Sequence, residues 1–142
     1  MARALLDATV VIAYADSDDE DHDTGREIVR GVDHGDLPTG VITNDALLEI
    51  LNFVEERHGH AMATDLLDRL IEGAHFRLPY NPKENYGVAR SLFRRHEGLS
   101  FGDAMQAAYM RREELEFIYT FDGDFDAVDG IIRLSTAENP FT

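Results

Sequence analysis

Short apolar runs alternate along this chain with longer segments of helical periodicity, and that alternation rules out most architectures. Candidate strands are Ala4–Leu6, Val41–Thr43, Phe76–Leu78, Phe117–Thr120 and Ile131–Leu134. Candidate helices lie near Gly25–Val32, Asp45–Arg57, Ala61–Ile71, Lys83–Arg95 and Asp103–Glu114. Leu47, Ile50, Leu51 and Val54 recur at helical spacing, as do Leu66, Leu67, Leu70 and Ile71. Strands separated by helices predict an α/β fold with a central, mainly parallel sheet of four or five strands. The segment Thr9–Tyr14 reads both ways: its β-branched residues suit a strand, and its length and position also suit a first helix. There is no internal repeat and no Pro/Gly linker, so the expectation is one domain over residues 1–142.

Composition narrows the chemistry. The chain has no cysteine, which excludes thiol catalysis and a disulfide framework. Its longest apolar stretch, Ala8–Ala15, is far short of the ~20 residues that span a bilayer. Asp7 interrupts a signal-peptide pattern, so a cytoplasmic protein with no membrane partner is expected. Thirteen basic residues stand against 28 acidic ones, for a formal charge of −15, and Lys83 is the one lysine. Ordinary hydrophobic content argues against disorder. Such acidity fits a solvated surface and suggests halophilic adaptation, because at about 1 M salt the Debye length is only about 3 Å. The densest patch, Asp16–Asp23, is expected to be an exposed loop and helix start.

Open parallel sheets bind ligands beyond the carboxyl ends of their strands. Asp7 ends the first strand, Asp122 follows the fourth, and Asp124 comes two residues later. Glu49 lies on the helix that leaves the second strand, and Asp103 opens the helix leading into the fourth. Carboxylates converging on one rim repel one another, so either some take up protons or a cation neutralises them. Hard oxygen ligands select Mg²⁺ or Mn²⁺, and such ions can assist displacement at a phosphodiester. Each acid also has an ordinary explanation. Asp7 can be a turn residue. Ser100-Phe101-Gly102-Asp103 fits a helix cap. Glu49 shares a polar helix face with Asp45, Asn52 and Glu56. Asp122, Asp124 and Asp126 can form a plain acidic loop.

Taken in order, four segments resemble the motifs of PIN domains. They are Leu5-Leu6-Asp7-Ala8-Thr9-Val10-Val11-Ile12-Ala13, Thr43-Asn44-Asp45-Ala46-Leu47-Leu48-Glu49-Ile50-Leu51, Leu99-Ser100-Phe101-Gly102-Asp103-Ala104 and Thr120-Phe121-Asp122-Gly123-Asp124-Phe125. Length and layout resemble the VapC group, the toxin half of toxin–antitoxin pairs. The resemblance implies a helix at Thr9–Tyr14. It implies that Asp7, Glu49, Asp103 and Asp122 are catalytic and bind Mg²⁺ or Mn²⁺, with Asp124 as an auxiliary ligand. Thr120 becomes a polar group near the metal or phosphate. Ala8 departs from the pattern, since many relatives carry a small hydroxyl residue there, and Thr9 is a candidate substitute.

The resemblance further implies a metal-dependent ribonuclease whose products carry a 5′-phosphate and a 3′-hydroxyl. It also implies a homodimer and a cognate antitoxin that lays a segment over the acidic groove. Arg90, Arg94, Arg95, Arg111 and Arg112 are the arginines available to meet RNA phosphates, or else ordinary solvated side chains. The alternative is a catalytically inactive PIN-like binding or structural module. A haloacid-dehalogenase-type phosphatase needs a second Asp where Thr9 stands. His58 and His60 lack the ligand spacing of a zinc site.

Overall fold

The computed structural model describes residues 2–142. Among them are five strands and six α-helices. The strands are β1 Arg3–Leu6, β2 Thr39–Val41, β3 Phe76–Arg77, β4 Phe117–Tyr119 and β5 Ile132–Leu134. The helices are α1 Ala8–Ala15, α2 His22–Asp33, α3 Asn44–His58, α4 His60–Glu72, α5 Asn85–Arg95 and α6 Phe101–Arg112. Every strand pairing is parallel, and the order across the sheet is β3-β2-β1-β4-β5. Thr9–Tyr14 is therefore helix, inside α1.

The period-2 alternation of β1 splits the core between two faces. Ala4 and Leu6 join a cluster with Ile28 and Val32 of α2, Ile50 of α3 and Leu70 of α4. Leu5 turns to the opposite face, with Ile118 of β4 and Tyr109 and Met110 of α6. Such fully buried aliphatic side chains each contribute roughly 1.5–3 kcal/mol. Strands covered on both faces read as continuous apolar runs, which is why β1 and β4 are visible in the sequence.

β2 lies two residues earlier than the run Val41–Thr43 suggests. Thr43 instead caps α3, its hydroxyl oxygen accepting from the Ala46 N–H at 3.4 Å. Gly40, a poor strand former, pairs with Ala4 because only a bare Cα fits: a Cβ there would lie 2.6 Å from Leu6 Cδ1. α6 likewise begins earlier than expected, at Phe101, because Ser100 caps it by accepting from the Asp103 N–H at 3.1 Å. The patch Asp16–Asp23 is exposed only in part. Asp16 is buried, with Arg57 Nε at 3.4 Å and His58 Nε2 at 3.3 Å, so its charge is met by the end of α3.

The strand order reverses direction at β1. The chain moves outward from β1 to β2 and β3, then returns to the other side of β1 for β4 and β5. The crevice between the carboxyl ends of β1 and β4 is thus the topological switch point where ligands of open α/β sheets bind.

Candidate metal centre

Asp7 follows β1 directly, and its N–H extends the ladder by donating to the Tyr119 carbonyl at 3.0 Å. That bond anchors the backbone at the switch point while the side chain turns inward, 2% exposed. A buried carboxylate needs donors, and three are supplied. Thr9 Oγ1 and Thr120 Oγ1 donate to Asp7 Oδ2 at 2.8 and 2.7 Å, and Gln106 Nε2 donates to Oδ1 at 2.8 Å. Each hydroxyl has one proton and spends it on Asp7. Their oxygens remain free to accept, Thr9 from the Phe121 N–H at 3.2 Å and Thr120 from the Asp122 N–H at 3.0 Å. The end of β1 is thereby tied to the loop after β4. Thr9, the candidate substitute for a hydroxyl at Ala8, is thus bonded to Asp7 and to the β4 loop.

Asp122 ends that loop and starts a 3-10 turn over Gly123–Ala127. Its Oδ1 accepts from the Asp124 N–H at 2.9 Å, which holds the two acids side by side. Asp103 enters from the first turn of α6. One oxygen from each of Asp103, Asp122 and Asp124 lies within 4.8 Å of the others.

The electrostatics register the crowding. Burial, a shared hydrogen bond with Asp122 and the charges of Asp7 and Asp122 push the Asp103 carboxyl up to about 8. The Asp124 carboxyl is raised chiefly by the charge of Asp122. Glu49 is solvent-exposed as a residue, yet its carboxyl is raised, first by burial and then by the charges of Asp7 and Asp122. Asp103, Asp122 and Asp124 therefore form the tight group, and the charges of Asp7 and Asp122 act on the Glu49 and Asp103 carboxyls. Among the described residues no ion pair reaches any of these five acids.

An all-carboxylate set beside a fourth, buried Asp has the donor chemistry of a hard divalent cation such as Mg²⁺ or Mn²⁺. Histidine takes no part: His58 faces Asp16 and His60 faces Glu55. The five arginines considered for RNA contact, Arg90, Arg94, Arg95, Arg111 and Arg112, are all exposed. Gln106 was not singled out from the sequence, because a lone glutamine in a helix carries no motif. Its signal was its place in Ala104-Met105-Gln106-Ala107-Ala108, three residues after Asp103.

Fold and rim together define an α/β protein with an acid-lined crevice at its switch point. The chain belongs to the PIN domain family, whose model matches residues 4–131. Among solved structures it is similar to VapC20 of Mycobacterium tuberculosis, described as a sarcin-ricin loop cleaving toxin. That match has a TM-score of 0.75 and 24% identity, over 87% of this chain and 93% of the other. It is also similar to VapBC2 of Rickettsia felis, solved on a promoter DNA fragment (TM-score 0.68, 15% identity, 93% and 97% covered). A toxin–antitoxin complex from Klebsiella pneumoniae matches at TM-score 0.63 and 19% identity, over 96% and 98%. Comparison with curated proteins gives no match.

Proposed function

We propose that this chain is a VapC-like toxin, a Mg²⁺- or Mn²⁺-dependent ribonuclease that hydrolyses RNA phosphodiesters. The observation that carries the reading is the group of three carboxylates within 4.8 Å, set beside buried Asp7 at the switch point. In this reading Asp7, Glu49, Asp103 and Asp122 are catalytic, and Asp124 joins them in holding the cation. These carboxylates would hold a divalent cation, which would supply charge for the phosphoryl oxygens and make water a better nucleophile near neutral pH.

The protein's own groups prepare the site. Thr9, Thr120 and Gln106 hold the Asp7 side chain in one orientation through three hydrogen bonds. The Asp122 cap fixes the β4 loop, so the donor set needs little reorganisation. With the Asp103 carboxyl raised to about 8, a proton held there must leave when a cation arrives, which makes cation binding stronger at higher pH.

Relatives solved as toxin–antitoxin complexes support an antitoxin partner for this chain as well. A basic inhibitory segment suits a protein of charge −15. A homodimer and a cytoplasmic setting complete the proposal, and no helix among the described residues is long and apolar enough to cross a membrane.

The test is sequencing of RNA ends after incubation with Mn²⁺, with Asp103→Asn as control. Defined 5′-phosphate ends that need both Mn²⁺ and Asp103 support the reading. Cleavage that persists in EDTA or in the variant removes it, and a parent that cuts nothing favours an inactive PIN-like module.

A further inference from the structure

Gln106 is a buried amide in an otherwise unsuitable place. Residues 104–110 of α6 are all buried, and the others are Ala104, Met105, Ala107, Ala108, Tyr109 and Met110. Burying a primary amide costs free energy unless both of its ends are paired. Here the pairing is one-sided. Nε2 donates to Asp7 Oδ1 at 2.8 Å, while Oε1 has no hydrogen-bond partner among the described residues. Exchanging the amide oxygen and nitrogen makes matters worse, because it sets an oxygen against a carboxylate oxygen. Methionine has nearly the same shape and carries no such cost. A residue kept only for packing has no reason to be glutamine.

Position supplies the reason. Gln106 lies three residues beyond Asp103, so the two share a face of α6. Its amide crosses to Asp7 at the end of β1. Asp7 Oδ2 already accepts two hydroxyl protons, which use both its lone pairs. Oδ1 accepts one bond, from Gln106, and keeps one lone pair for a ligand. Thr9 and Thr120 hold the Oδ2 end, and among the described residues Gln106 is the side chain that donates to Oδ1.

We infer that Gln106 is a positioning residue of the cation site: it locks the Asp7 carboxylate with its unused Oδ1 lone pair toward Asp103, Asp122 and Asp124. This rests on the metal-dependent reading above. Groups that orient a ligand in this way typically matter by roughly 10–100-fold in metal affinity. The unpaired Oε1 marks a position where stability is given up for what the other end of the side chain does.

The experiment is Mn²⁺ titration of the full chain, followed by calorimetry and by thermal melting, on the parent and on Gln106→Met. The variant's melting temperature without metal checks that it folds, and reads the loss of a donor to buried Asp7 against the loss of the orphan acceptor. Its Mn²⁺ dissociation constant is expected to rise roughly 10–100-fold, and cleavage to recover when Mn²⁺ is raised to saturation. If Gln106→Met does not fold, Gln106→Asn is read the same way, since its amide falls one methylene short of Asp7. A parent that binds Mn²⁺ and a variant that binds it equally well overturn the role of Gln106 alone. A parent that binds no Mn²⁺ overturns the metal-dependent reading and this inference with it.

Discussion

The loop at Asp16–Asp23 and the rim at the switch point are both crowded with acids, but they handle the charge differently. In the loop, the buried carboxylate Asp16 faces two basic side chains, Arg57 and His58. Asp16 and Asp19 also serve the backbone: Asp16 Oδ1 accepts from the Asp18 N–H at 3.2 Å and Asp19 Oδ1 from the Asp21 N–H at 2.8 Å. In the rim, Asp103, Asp122 and Asp124 crowd together with no arginine or histidine bridging to them among the described residues. Instead the Asp103 and Glu49 carboxyls are raised by burial and then by neighbouring charge, and the Asp124 carboxyl chiefly by the charge of Asp122. Acid-rich composition therefore does not locate a cation site. What sets the rim apart is that, among the described residues, no ion pair reaches its convergent oxygens.

The largest expected effect breaks the comparison at the rim. Asp103→Asn should lower Mn²⁺-dependent RNA cleavage by at least about a hundredfold, beyond the usual cost of losing a supporting group. Asp18→Asn, in the loop, should leave the rate within about twofold, since surface changes away from special features are nearly neutral. Rates measured side by side on one RNA check this. Comparable losses in both variants would mean that overall charge, not the convergent site, governs activity.

Next in size is a stability effect confined to the loop. Asp16→Ala leaves His58 and Arg57 without their carboxylate and frees the Asp18 N–H. Removing a buried acceptor costs about 1–3 kcal/mol, and the lower half is expected because the Arg57 side chain is 54% exposed and screened by water. Thermal melting should show a fall of several degrees, at roughly 2–4 °C per kcal/mol for a chain of this size. Mn²⁺ affinity should stay put. A weakened affinity instead would couple the two acidic regions through α1, which carries Thr9 near its start and leads into Asp16 at its end.

Much of this was legible in the sequence, for identifiable reasons. β1, β4 and the helical stripes announce themselves because both sheet faces are covered and the apolar runs are unbroken. The positions of Asp7, Asp103 and Asp122 along the fold are readable because strand ends and a helix cap fix them. Other features were hidden. β2 was displaced because Gly40, selected for close approach to Leu6, looks like a strand breaker. Buried Asp16 looked like its exposed neighbours, since its partners Arg57 and His58 lie some forty residues away in the chain. Gln106 was invisible because its meaning comes from a contact 99 residues distant. The structure also distinguishes the tight trio from the flanking Asp7 and Glu49, which sequence order treats alike.

A smaller effect sharpens the contrast through pH. The Asp103 carboxyl is raised to about 8, from an ordinary value near 3.8. Between those values the metal-free folded protein holds a proton that the unfolded chain has released. Stability therefore falls as pH rises through that window and is regained on acidification. Melting curves of metal-free protein from pH 5 to pH 8 should show this slope, and Asp103→Asn should flatten it. Saturating Mn²⁺ should flatten it too, by taking the proton's place. A slope that survives in Asp103→Asn would move its origin elsewhere, with Glu49 the next group to replace.

The smallest effect concerns salt, and it separates screening from binding. Exposed acids of the loop repel one another through water, and monovalent salt weakens that repulsion as the Debye length drops from about 10 Å at 0.1 M to about 3 Å at 1 M. Melting temperature should thus climb gradually with KCl, as the charge of −15 requires if self-repulsion matters. Replacing Asp18 by Asn and Glu20 by Gln should shave a little from that climb, within about 0.5 kcal/mol per site. The rim should respond differently. Its carboxylates are crowded to within 4.8 Å and partly withdrawn from water, a spacing shorter than most of the screening range. Mn²⁺ should therefore stabilise the protein at low concentration and saturate, with molar KCl already present. Equal, unsaturating responses to KCl and Mn²⁺ would reduce the rim to another patch of surface charge.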